Sequence, residues 1–200
     1  WAMQTTPQPG LQGRRGFQPR GKALGGSSAI NAMLYVRGHA KDYDEWAELG
    51  CPGWSYKEVL PYFIQSENNE RGASALRGDN GPLHVSDQKS PRPITHSFVQ
   101  ACEETGIPRN DDYNGAIQDG AFVYQVSQFH DAARNGERCS AAAAYLHPVM
   151  DRKNLTVITG ARARRILFEG KTAIGVEFQQ GNRVKRVHAR REVLLCGGAF

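Results

Sequence analysis

No apolar run in this 200-residue chain approaches the roughly 20 consecutive residues that a bilayer span requires, which excludes a membrane-spanning helix within it. Cysteine is sparse. Cys51, Cys102, Cys139 and Cys196 stand far apart, with no Cys-x-x-Cys pair and no histidine at ligand spacing. That pattern argues against zinc or a disulfide framework and for free thiols, buried or half-buried. The common phosphate loops are missing too. A Walker loop needs Gly-Lys followed by Ser or Thr, but Lys22 is followed by Ala23. Gly170-Lys171-Thr172 has Arg165 where the first glycine should stand, so it reads as a hairpin turn. Gly25-Gly26 follows a loop rich in Gly, Arg and Pro instead of a strand, which excludes a dinucleotide fingerprint at that place. An initiator methionine is absent as well: the chain opens on Trp1 and closes on an apolar run into a turn, and both ends read as cut.

What is present is concentrated in residues 20–38. Four glycines, Ser27, Ser28, Asn31 and three cations surround one short apolar stretch. Glycine removes the Cβ that keeps a backbone away from a ligand, and successive N–H groups with serine hydroxyls can hold phosphate oxygens. Should Ser27 or Ser28 cap a helix through Ala29 to Tyr35, its dipole adds to an anion site. Asn31 is then free to hold a sugar or ring edge. By composition alone, Gly-Gly-Ser-Ser reads first as a plain turn or linker.

The net charge of +5 raises a second class, a polyanion-binding module. Cations cluster at Arg14, Arg15, Arg20 and Lys22, at Arg162, Arg164 and Arg165, and from Arg183 to Arg191. The last two groups alternate with Ala163, Ile166, Val184 and Val187, which reads as strands with a solvent face. Aromatics are not interleaved with them as in a single-strand platform, so nucleic acid is not the expected partner.

Along the chain, Asp42 to Leu49 reads as a short helix capped by the aspartate. Ser55-Tyr-Lys-Glu58 is a capping box opening the next helix, which Pro61 should kink or shorten. Residues 67–80 read as a polar loop and a boundary. Leu83 to Asp87 reads as a weak strand. Ile94, Phe98, Ala101 and Cys102 follow helical spacing up to Gly106 and Pro108. Residues 109–118 read as an acidic loop, Phe122 to Phe129 as a half-buried strand, and Cys139 to Leu146 as an alanine-rich helix. Five strand-like runs follow: 155–159, 164–169, 173–179, 183–189 and 192–196. They suggest an antiparallel meander with its last run central and buried.

The complete string Arg-Gly-Lys-Ala-Leu-Gly-Gly-Ser-Ser-Ala-Ile-Asn-Ala-Met-Leu-Tyr-Val-Arg-Gly resembles the first signature of the glucose–methanol–choline oxidoreductases at every fixed position. These are flavoproteins that oxidise alcohols. The likeness continues through Asp42-Tyr43-Asp44-Glu45-Trp46, Gly53-Trp54-Ser55-Tyr56, Asn80-Gly81-Pro82-Leu83, Asp111-Asp112-Tyr113-Asn114-Gly115, Arg138-Cys139-Ser140-Ala141-Ala142, Asn154-Leu155-Thr156-Val157 and Glu192-Val193-Leu194-Leu195. It looks most like the bacterial choline and alcohol dehydrogenase branch. The resemblance implies an α/β (α+β) fold: a fragment of an FAD-binding, Rossmann-like domain with an inserted substrate-binding domain. Residues 1–80 then belong to the FAD domain, 81–138 to the substrate domain, and 139–200 to strands returning to the FAD domain.

The resemblance also assigns cofactor contacts residue by residue. Gly25, Gly26 and Ser27 match the turn facing the pyrophosphate. Asn31, Ala32, Met33 and Leu34 match positions running past the ribityl chain and isoalloxazine, and Ala163 matches a backbone contact at the adenine end. Some members tether FAD through a histidine directly before the asparagine. Ile30 stands there, so non-covalent FAD is implied. No catalytic residue is assigned within the chain; the family's catalytic histidine is expected in a C-terminal region beyond it. The implied substrate is a small alcohol, and the implied electron acceptor is a quinone or oxygen. No metal is implied, and the location is cytoplasmic or peripheral on the inner membrane. Within the family, a sugar oxidase or a hydroxynitrile-lyase-type member remains a rival reading.

Overall fold

The computed structural model describes residues 1–198 and contains two compact units, residues 1–151 and residues 152 onward. The first unit mixes helices with very short strands. Strands β1 (Ala2–Gln4) and β2 (Phe17–Pro19) pair antiparallel. Helix α1 (Ala40–Glu48) starts two residues earlier than the aspartate suggested, because His39 takes the cap position. The His39 ring accepts from the Lys41 N–H while the Asp42 carboxylate accepts from the His39 N–H, a reciprocal box that satisfies donors at the helix start. Helix α2 (Tyr56–Ser66) opens on the expected Ser55–Glu58 box and continues through Pro61. The helices pack through aromatic edges: Tyr43 on Trp46 and Phe63, and Trp46 on Trp54.

Residues 67–80 are not the simple surface loop their polarity suggested. Strand β3 (Glu67–Asn69) pairs in parallel with β4 (Leu83–Val85), and Glu67 is among the most buried side chains of the chain. Helix α3 (Pro93–Glu104) forms where the spacing placed it, but the expected apolar face is turned outward: Val99 is buried, whereas Ile94 and Phe98 are exposed. Residues 122–129 run extended without building a regular strand. Val126 alone bridges Leu34 on one side and Ser86 on the other, so it ties the glycine-rich segment to β4. A core of Phe129, Cys139 and Ala144, joined by Leu83 and Ala143, lies beside it. The alanine-rich run winds loosely, as a π-turn over Ala142–Leu146 followed by a 3-10 turn at His147–Val149.

The second unit is a meander of β5 (Ala161–Glu169), β6 (Thr172–Gln180) and β7 (Arg183–His188). Gly170 and Gly181, both in the left-handed region, make the two hairpin turns, as expected of Gly170-Lys171-Thr172. Three strands form instead of five. The runs 155–159 and 192–196 belong to no strand among the described residues, and Leu194 and Leu195 are exposed rather than central. A buried strand needs neighbours on both sides, and no further strand is described in this unit to supply them. For the same reason β7 is an edge, with Val184 and Val187 exposed beside its cations.

The thiols are free, as the spacing indicated. Cys139 is buried and Cys102 half-buried, but Cys51 and Cys196 are exposed, against expectation. Among the described residues no helix is long and apolar enough to cross a membrane.

Candidate functional site

The glycine-rich segment does not become the helix that a serine cap at residue 27 or 28 suggested. Only one 3-10 turn forms, Gly26–Ala29, and the chain then runs extended. The reason lies in the backbone at both ends. Gly25 and Gly26 take left-handed angles (φ 87° and 55°), and Met33, a non-glycine, is held left-handed at φ 64°. Such a conformation in a residue with a Cβ costs about 1–3 kcal/mol and survives only where its surroundings enforce it. Anion binding by a helix dipole therefore has no basis here.

Close packing explains the glycines better. A Cβ on Gly21 would strike the Gly26 carbonyl, and one on Gly25 would press on the Ala142 backbone nitrogen and the Ser28 hydroxyl. At Gly26, by contrast, the space beside Cα is open. The Ser27 hydroxyl accepts from the Gly21 N–H at 3.2 Å. Ser28 is committed inward: its hydroxyl donates to the Gly25 carbonyl at 2.6 Å and accepts from the Ala141 N–H at 2.9 Å.

Beyond the turn, the Met33 N–H donates to Asn31 Oδ1 at 3.1 Å, and the Met33 carbonyl accepts from the Ser127 N–H at 2.8 Å. The Tyr35 N–H donates to the Gln125 carbonyl at 3.0 Å. These flanking bonds make Leu34 and Val126 a non-hydrogen-bonded antiparallel pair, so Leu34 turns its own N–H and carbonyl away from Val126. Leu24, Ile30, Leu34 and Val36 all present exposed apolar side chains along this stretch. The result is a strip with open backbone at Gly26, an outward polar edge at Leu34 and apolar cover between them.

Behind the strip lies a buried polar network. Arg37 Nη2 pairs with Glu67 Oε2 at 2.6 Å, with side chains 4% and 1% accessible. Arg37 Nη1 donates to the Leu76 carbonyl, its backbone N–H donates to Asn114 Oδ1, and its carbonyl accepts from Gln118. The Asn69 amide donates to Glu67 and to Gln125, and Gln125 donates onward to Asp87. The Tyr113 hydroxyl donates to the Tyr35 carbonyl and accepts from the Gln125 N–H, each at 2.8 Å. Burial pushes that phenol up to about 12, so it stays a neutral donor at any physiological pH.

Of the residues the signature assigns, Gly25, Gly26, Ser27, Asn31, Ala32, Met33 and Leu34 lie on this one strip. Ala163 lies in the second unit, exposed on β5 opposite Phe178. Gln125 is buried and bonded within this network. His39 is a helix cap, and His84 faces His130 at 4.6 Å between ring centroids. Two participants carried no assignment in the sequence: Glu67, hidden in a polar run, and Arg138. The Arg138 guanidinium reaches Ser28 and Asn31, although the motif containing it had already been matched. Among the described residues no cluster of His, Cys, Asp and Glu could hold a metal.

Residues 4–200 match the family described as GMC oxidoreductase. Over its whole length the chain is 45% identical to a protein named oxygen-dependent choline dehydrogenase from Brucella anthropi, covering 35% of that relative. It is 44% identical over its whole length to human mitochondrial choline dehydrogenase, covering 33% of it. The chain thus spans about a third of the length of these curated relatives. Among solved structures it is similar to an FAD-dependent oxidoreductase from Chaetomium thermophilum, with TM-score 0.84, 32% identity and coverage of 94% of this chain and 34% of the other. It is also similar to pyridoxine 4-oxidase from Mesorbium loti, with TM-score 0.80, 31% identity and coverage of 94% and 36%.

Proposed function

The chain belongs to the GMC oxidoreductase family, and from that membership we propose that the protein oxidises a small alcohol to an aldehyde or ketone, with choline as the first candidate. FAD is the cofactor. When bound it would supply a two-electron acceptor for the hydride of the alcohol carbon, with N5 as the receiving atom. The observation that carries the reading is the strip from Gly25 to Leu34, whose open backbone, outward amide edge and exposed apolar side chains suit a ligand with a flat ring and an oxygen-rich tail. Gly25, Gly26 and Ser27 would face the diphosphate. Asn31, Ala32, Met33 and Leu34 would run along the ribityl chain and ring, and Ala163 would meet the adenine end by its backbone. The names of the relatives support choline over sugars or cyanohydrins.

This chain's own contribution is to seat and orient. The inward bonds of Ser28 and Met33 hold the strip in its strained path, which fixes the distance at which a ring can lie. Residues 81–138 belong to the substrate-binding part in this reading, with 1–80 and 139–200 in the FAD-binding part. The hydroxyl proton is assigned to a histidine outside residues 1–200; of those inside, His39 caps a helix and His84 packs against the His130 ring. Ile30 offers no nucleophile, so FAD is held without a covalent bond. Oxygen or a quinone takes the electrons, and the protein works in the cytoplasm or on the inner membrane surface.

Anaerobic addition of choline to the flavin-loaded protein is expected to bleach the flavin absorbance. A protein that takes up no flavin, or a flavin that no alcohol reduces, would overturn the reading. Acid precipitation should leave the flavin in the supernatant, and colour retained in the pellet would contradict non-covalent binding.

A further inference from the structure

Arg138 is placed to dictate what Asn31 offers outward. Its Nη1 lies 2.8 Å from the Asn31 carbonyl, 2.8 Å from Asn31 Oδ1 and 3.1 Å from the Ser28 carbonyl. The Met33 N–H points at the same Oδ1 from 3.1 Å. A guanidinium and a backbone N–H can only donate, so the Asn31 atom facing them must be the amide oxygen. Both acceptor sites of that oxygen are then occupied. The amide NH₂, on an exposed residue, is left with two donors and no protein partner among the described residues.

Arg138 is itself fixed from behind. Its backbone bridges Gln128, and the next residue, Cys139, is 1% accessible and donates its N–H to the Ser127 carbonyl at 2.9 Å. The guanidinium therefore projects from the rigid core cluster onto the one stretch of the strip that is strained.

We propose that Arg138 is a positioning residue that locks the Asn31 side chain as a donor-only group toward the flavin, adding electropositive character where negative charge builds up on reduction. This inference rests on the FAD reading above. A donor backed by a cation favours the reduced, more negative ring over the oxidised one, as charge-assisted hydrogen bonds do. Without Arg138 only the Met33 N–H would hold Oδ1 inward, so the side chain would turn its acceptor outward part of the time and the bias would weaken.

The test is a double-mutant cycle read as the flavin midpoint potential of the holoenzyme. Arg138→Met and Asn31→Ala should each make the potential more negative and weaken FAD on the order of tenfold, the loss of one charge-assisted bond. Because both remove the same donor, the double variant should shift no further than the larger single one. Arg138→Lys keeps the charge but lacks the fork. It should fall between wild type and Arg138→Met, and it carries the test if the methionine variant does not fold. An unshifted potential in a folded Arg138 variant, or additive shifts in the double variant, would overturn the proposal while leaving the FAD reading intact. Failure of the unmutated protein to take up flavin would bring down both.

Discussion

Arg37 and Glu67 are the only mutually paired charges in the described residues that are both shut off from water, and their 2.6 Å contact is backed by the Leu76 carbonyl, Gly78 N–H and Asn69 amide. A buried pair gains little over a well-packed apolar substitute, but removing one member strands the other's charge. Glu67→Gln or Arg37→Met should each lower stability by about 3–5 kcal/mol in urea unfolding, with the combined Arg37→Met/Glu67→Leu variant losing less than the sum of its parts. Arg37 was visible in the sequence as a fixed point of the signature. Its partner was not, because Glu67 lies 30 residues away in a run whose polarity reads as a loop, and ion-pair partners leave no local periodicity. The same holds for Arg138. Its reach of 107 residues to Asn31 cannot be read from either motif alone. Met33 shows the opposite limit: its left-handed backbone is imposed by Ser127 and Asn31, whereas its residue type argues against it.

At the level of elements, chemistry that acts within four residues was legible. The Ser55–Glu58 box opened α2 where expected, and Gly170 turned the first hairpin. Apart from the His39 cap of α1, failures came where distant neighbours decide. The run from Ala29 to Tyr35 has helical composition yet is drawn out straight by its ladder to residues 125–127, and 192–196 has strand composition without a neighbouring strand among the described residues. β6 carries a further consequence. Glu177 sits opposite Arg165 of β5 and Arg186 of β7, bonded to both at 3.2 and 3.0 Å. Hydrogen bonds from Arg165 and then Arg186 hold its carboxyl below the ordinary glutamate value. The folded sheet therefore binds that proton less readily than the unfolded chain does. Its stabilisation is present above the ordinary glutamate range and is lost as pH falls through the lowered value. Acid titration followed by circular dichroism should show Glu177→Gln with a shallower loss of sheet signal than wild type.

On the scale of the whole molecule, the chain spans about a third of its curated relatives and offers the strip without an assigned acid–base group. Residues 1–200 expressed alone should hold FAD weakly and oxidise no alcohol; measurable turnover by that polypeptide would contradict the division of labour proposed above. Family and fold class were legible from the signature because its spacing is long and specific, while the two-unit division at residue 151 had no compositional marker. The bonds that complete the strip have one more implication. Ser28, Asn31 and Met33 reach their partners across 94 to 113 residues, at Ser127, Arg138 and Ala141. Such high contact order makes loop closure the slow event in folding. During synthesis the strip must therefore wait, unshaped, until residue 141 has left the ribosome, so a cofactor seated there as proposed would bind only after much of the first unit is already made.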